Sequence, residues 1–209
     1  MIIKKDNFKL ILKNAEKALK EYLIKLKERD QHKFYVIFKV LEMSKYLKAS
    51  NKYHGAYKGG LFDHLKLVFY LCYKIYNLIT PEEFSLEDLC DIALLHDMEK
   101  INNSINEIPP NLREKFLFID ENNENSANKL ILNVLNSMEY GHYGSSHHVD
   151  RTFAMLSKAD IELNDNQVFG LVYHHGGWSN YKLRKSPASN SFSGLLHACD
   201  MIASKTMNI

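Results

Sequence analysis

The chain has 209 residues, 45% of them hydrophobic and 25% charged, with a formal net charge of +2. That size fits one domain able to bury roughly 70% of its unfolded surface. So small a net charge gives no argument for nucleic-acid or membrane binding, and no run reaches the ~18 apolar residues of a membrane span.

Nine glycines and four prolines are few for a turn-rich protein. With the abundance of Leu, Ile, Lys and Glu they favour helices over a β sandwich. Residues 7–29 place Phe8, Ile11, Leu12, Ala15, Leu19, Leu23 and Leu26 at helical spacing, with Lys and Glu on the other face. A second helix is expected over 33–47, then a loop over 48–60 ending in two glycines. Residues 61–79 are apolar nearly all round, which predicts a central buried helix, ended by Pro81. Ser85-Leu86-Glu87-Asp88 reads as a capped start for a helix running to Ile101. The Asn-rich stretch 102–124, with Pro109-Pro110, is the candidate flap. Helices follow over 125–138, 148–158, 164–175 and 191–205, separated by Gly/Ser-rich loops at 139–147 and 176–190. The expected fold is an all-α bundle of about seven to nine helices, residues 1–50 packing on a core formed by 51–209.

Cys72, Cys90 and Cys199 lie far apart in apolar runs, with no C-x-x-C pair. The N-terminus MIIKKDNFKL lacks the apolar core of a signal peptide. The expectation is a reduced, cytoplasmic protein whose cysteines fill core space.

The chemistry lies in polar residues set inside apolar helical runs. His64 follows Leu61-Phe62-Asp63; His96 and Asp97 follow Ile92-Ala93-Leu94-Leu95; His174 follows Leu171-Val172-Tyr173; Asp200 sits between Cys199 and Met201. Burying a carboxylate or a charged imidazole without a partner costs several kcal/mol. Groups of this kind on four separate helices call for a shared compensator, and a metal ion taking imidazole nitrogen and carboxylate oxygen is the simplest.

This ordered set, H…HD…H…H…D, resembles the HD-domain superfamily of metal-dependent phosphohydrolases over residues 53–205. GAYKGGLFDHLKLV, ALLHDMEKI, HHVDRTFAML, YHHGGW and LLHACDMIASK are similar to segments of HD-domain 3′–5′ exoribonucleases and of uncharacterised bacterial and phage HD proteins. The resemblance implies an HD-type helical bundle with the metal site between core helices. It implies one or two divalent ions: His64, His96, Asp97 and Asp200 for the first, and Asp97 as a bridge with His148 and His174 for the second. Lys100 matches the family lysine, and Asp97 and Lys100 are the expected catalytic pair. Lys100 and Arg151 would contact substrate phosphate. Mixed His and carboxylate ligation suits Mn, Fe or Ni, and Mg less well. Glu99 departs from the family, where many members carry Gly. It either brings a carboxylate to the pocket or reflects different local packing.

Several choices stay open. His142 and His147 compete with His148, which the H-x-x-R-T pattern favours. The apolar run before His174 and His175 prefers neither. The resemblance favours His174, leaving His175 to contact substrate. His54 is either a site residue or an exposed loop residue, His197 is expected to pack near Asp200, and His32 is expected at the surface. Tyr57, Lys58, Trp178, Tyr181 and Arg184 flank the ligand helices, either stacking on substrate, for which Trp178 is the chosen candidate, or packing their own loops.

The expected activity is hydrolysis of a nucleotide or another small phosphate ester by metal-activated water. One alternative is a nuclease acting on short single-stranded RNA or DNA. The other is a degenerate domain serving as nucleotide sensor or interaction scaffold. No membrane partner is expected, and homo-oligomerisation is left open.

Overall fold

Helix boundaries follow the caps that the sequence supplies. In the computed structural model, which describes residues 5–79, 82–113, 148–175 and 190–207, the first helix is α1 (Lys5–Arg29) and the second is α2 (Gln31–Ser44). Asp30 divides them in an extended conformation, its carboxylate accepting from the Lys33 amide at 2.8 Å. A short acidic side chain satisfies the orphan amides of a helix start. The helix expected over 33–47 therefore begins and ends a little earlier.

Helix α3 (Gly60–Ile79) packs against α1 and α2. Its first half is largely buried, Leu61 and His64 to Phe69 lying inside, as an apolar segment should, but Leu78 and Ile79 are exposed, so the helix is central only along its N-terminal part. Ser85 caps α4 (Leu86–Leu95), which lies against α3. Here the structure departs from the expected single helix to Ile101. The chain turns at residues 96–98 and restarts as α5 (Glu99–Asn103), followed by a 3₁₀ turn (Ile105–Glu107) and α6 (Pro110–Arg113). The remaining elements are α7 (His148–Lys158), α8 (Asp165–Tyr173) and α9 (Ser191–Thr206). Asn164 and Gln167 close the expected capping box on α8. Helix α9 packs on α3 and α8, and Gly170 admits the Phe192 ring at that last contact.

No strand occurs among the described residues, and the fold is all-α. None of their helices is long and apolar enough to cross a membrane. The three cysteines are buried and free, as core filler should be. The expected helix over 125–138, the loop over 139–147 and the flap beyond residue 113 lie outside the described residues, as do residues 176–189.

Two features set the position of the helices that matter for function. Asp91, on α4, is almost fully buried and accepts from Tyr22 Oη at 2.5 Å and from the Arg29 guanidinium at 3.1 Å, with Lys33 Nζ at 3.2 Å. One carboxylate thus ties α1 and α2 to α4.

The second feature is the loop before α3. It folds back on Leu47, whose carbonyl accepts from the amides of Gly59 and Leu61 at 3.1 Å each. Gly55 and Gly59 take positive φ there (58° and 86°), which glycine does without strain. A Cβ at Gly60 would lie 2.0 Å from the Gly55 carbonyl oxygen, a backbone atom that cannot swing aside. Gly60→Ala should therefore destabilise the protein by about 2–3 kcal/mol. Gly194→Ala, on an exposed turn of α9 with open space around it, should be neutral or stabilising by up to ~1 kcal/mol. Thermal melts of the two variants side by side check the contrast; equal melting temperatures would refute it.

Candidate metal centre

The break after α4 is what builds the site. The His96 amide still closes the helix on Ile92 O at 2.8 Å, and the next turns are tighter, Met98 N to Leu95 O at 3.0 Å and Lys100 N to Asp97 O at 3.1 Å. His96 is thus the C-cap of α4, and Asp97 sits in the turn. His174 is likewise the C-cap of α8. Helix C-termini carry partial negative charge and unsatisfied carbonyls, an environment that favours a cation.

Those carbonyls fix the imidazoles. His96 Nδ1 lies 3.0 Å from Ala93 O, and His174 Nδ1 lies 2.7 Å from Leu171 O. A carbonyl can only accept, so Nδ1 is the protonated nitrogen in both rings. The neutral imidazole then presents its lone pair at Nε2. Both Nε2 atoms are buried and make no hydrogen bond. This is the arrangement metal-binding histidines adopt, one nitrogen held by an acceptor and the other left for the ion. Burial pushes the pKa of both imidazoles down, which keeps the lone pairs available.

Around these nitrogens the carboxylates converge. His64 Nε2, from the buried half of α3, lies 3.4 Å from Asp97 Oδ2 and 3.2 Å from Asp200 Oδ1. His96 Nε2 lies 3.5 Å and 3.9 Å from the same two oxygens. The ligand atoms of His64, His96 and Asp97 all fall within 4.8 Å of one another, a group able to hold a metal ion. Lys100 Nζ donates to Asp97 Oδ2 at 2.5 Å. Burial pushes the Asp97 carboxyl up, but the Lys100 ammonium and the facing imidazoles outweigh it and hold the group well below the usual carboxylate range. Asp200 is lowered as well, burial being overcome by His64 and His96. For His64, burial pulls down and the two carboxylates push up, with the net shift upward.

A second cluster adjoins the first. His148 opens α7, and its ring lies 4.9 Å from that of His174 and 4.7 Å from that of His175, centroid to centroid. His148, His174 and His175 form another group able to hold an ion. So do Asp97, Glu99 and His148. His175 Nε2 is 2.6 Å from His148 Nε2, so His175 stands against another imidazole, and burial lowers its pKa to about 4.

The structure thus brings together His64, His96, Asp97, Lys100, His148, His174, His175 and Asp200. Arg151 lies one turn along α7 from His148 but is exposed, outside the buried cluster. Trp178, Tyr181, Arg184, His142 and His147 lie outside the described residues. Lys100 is engaged by Asp97, so its ammonium is held against that carboxylate. His54 is no bare loop residue. Its ring lies 5.0 Å from that of His64, and burial takes its pKa down to about 4. Tyr57 donates to Asp63 at 2.9 Å and Lys58 lies over the Tyr46 ring, so both pack their own loop and its neighbours. His32 is exposed, as expected.

Three supports have partners that the sequence did not disclose. Thr152 donates to the His96 carbonyl at 3.4 Å, joining α7 to the break after α4. His197 Nδ1 donates to the His174 carbonyl at 2.5 Å. Glu99 is buried, 3.3 Å from His148 Nδ1. The T of H-x-x-R-T and the H of L-L-H were visible signals, but nothing in the spacing says which carbonyl each would meet. Comparison with family models, with curated proteins and with solved structures finds no match.

Proposed function

We propose that this protein is a divalent-metal-dependent phosphohydrolase acting on a nucleotide or a similar small phosphate ester. The observation that carries the proposal is the pair of buried, fixed imidazoles, His96 and His174, each with an unpartnered Nε2, that of His96 lying 3.5 Å from the buried Asp97 carboxylate. Such a set is costly to bury without a cation and is well satisfied with one. The resemblance of the H…HD…H…H…D order to HD phosphohydrolases supplies the reaction class.

A divalent cation held here would polarise phosphoryl oxygens and lower the pKa of water. The protein's part is positioning. His64, His96, Asp97 and Asp200 form the donor set of the first ion. Asp97 divides its oxygens: Oδ2 faces His64, His96 and Lys100, while Oδ1 is turned to His148 at 3.9 Å. Lys100 holds positive charge beside Asp97, where a phosphate oxygen could share it. His54, at the edge of the cluster and kept neutral near pH 7, is placed to contact a leaving group or a base without repelling a cation.

The test uses chelator-stripped protein reloaded with Mn²⁺, Fe²⁺, Ni²⁺ or Mg²⁺. These preparations are assayed on aryl phosphate mono- and diesters, nucleotides, cyclic nucleotides and short oligonucleotides. Hydrolysis that vanishes on stripping and returns with the ion is the expected result. Protein that binds no ion and shows the same activity before and after stripping would overturn the proposal. Preference for oligonucleotides, weakened steeply by salt, would move the assignment to a nuclease.

A further inference from the structure

We infer that Glu99 is a ligand of a second cation, shared with Asp97 and His148. The inference rests on the metal-dependent reading above and extends it to a residue outside the ligand set that the family resemblance implies.

The turn at residues 96–98 makes the placement. It presents Asp97 and then begins α5 at Glu99, and α5 packs on α7, which begins at His148. Three donor side chains thus come from one turn and two helix starts. Glu99 is 2% exposed and Asp97 3%. His148 Nδ1 is buried and makes no hydrogen bond, yet it lies 3.3 Å from Glu99 Oε1 and 3.9 Å from Asp97 Oδ1. Donor atoms bound at about 2.0–2.2 Å to one ion stand ~3.0–3.6 Å apart, close to these spacings.

The rest of the ring agrees. His148 Nε2 is tied to His175 Nε2 at 2.6 Å. With the proton on His148 Nε2 and donated to His175, the lone pair of His148 falls on Nδ1, between the two carboxylates. His175 then positions His148 as the carbonyls of Ala93 and Leu171 position His96 and His174. The carboxylate of Asp97 points the same way: with Oδ2 toward His64 and His96 and Oδ1 toward His148, it is placed to bridge two ions.

The experiment measures Mn²⁺ stoichiometry by equilibrium dialysis and the Mn²⁺ spin-resonance spectrum on the full chain. Wild type should take two ions per chain with the signal of a spin-coupled pair. Glu99→Gln keeps the size and a hydrogen-bond acceptor but loses the charge. It should take one ion tightly, show an isolated-ion signal and bind the second at least ~10-fold more weakly. Glu99→Asp should fall between the two, and it decides the matter if the glutamine variant fails to fold by circular dichroism. If Glu99 only orients His148 through a hydrogen bond, Glu99→Gln retains two coupled ions and the inference is wrong. Wild type that takes a single ion also overturns it, with the metal-dependent reading left standing. Wild type that takes none defeats both.

Discussion

Asp97→Asn should cost at least ~10³-fold in metal-supported hydrolysis, about 4 kcal/mol of transition-state stabilisation. The size of the effect follows from the number of groups that meet at this one carboxylate. Its Oδ2 lies within 3.5 Å of His64 and His96 and is bonded to Lys100, and its Oδ1 faces His148. Asparagine keeps the shape but offers a neutral oxygen in place of a charged one, so on the proposed reading, with Asp97 shared between two ions, both would be held more weakly. The NH₂ end of the amide would also face a cation or the Lys100 ammonium. Loss of bound metal in parallel with activity, in a variant that still melts cooperatively, is the expected pattern. Full metal content and wild-type turnover in Asp97→Asn would show that Asp97 is not the centre of this site.

Asp91→Ala should lower stability by about 2–3 kcal/mol while leaving the metal centre able to load. Removing one member of a buried ion pair typically costs ~3–5 kcal/mol because the remaining charge stays buried. Here Arg29 keeps 39% of its side chain exposed and Lys33 18%, so both can turn partly to water and the cost is reduced. The Tyr22 hydroxyl loses its 2.5 Å acceptor and keeps only a longer contact with Glu87 O. Asp91→Asn, which can still accept from Tyr22, should lose about half as much. Urea unfolding with unchanged slope and a lower midpoint is the measurement. A midpoint equal to wild type in Asp91→Ala would mean that α1 and α2 are held by apolar packing alone.

The buried polar residues of the candidate site were legible because they stand out in apolar surroundings. His64, His96, Asp97, His174 and Asp200 interrupt runs of Leu, Ile, Val and Phe, and all five are buried in the folded chain. The caps at Ser85 and Asn164 were equally plain, since each depends on residues three positions apart. The break after Leu95 was not. ALLHDMEKI continues a helical pattern, and the turn there stands among contacts from distant helices, such as the Thr152 bond to the His96 carbonyl. Glu99 was open to two interpretations for the same reason, because its nearness to His148 spans 49 positions of chain.

An all-α fold, and the polar residues carried into its core, follow from local periodicity and from the cost of burying charge, and both are readable along the chain. It took the packed helices to show where the helix stops at His96, which nitrogen of the His96 and His174 rings is free, that Asp91 ties α1 and α2 to α4, and that Glu99 stands against His148. Each of these is a contact between residues far apart in the chain, and spacing along a sequence carries no information about the direction in which a side chain meets a partner on another helix.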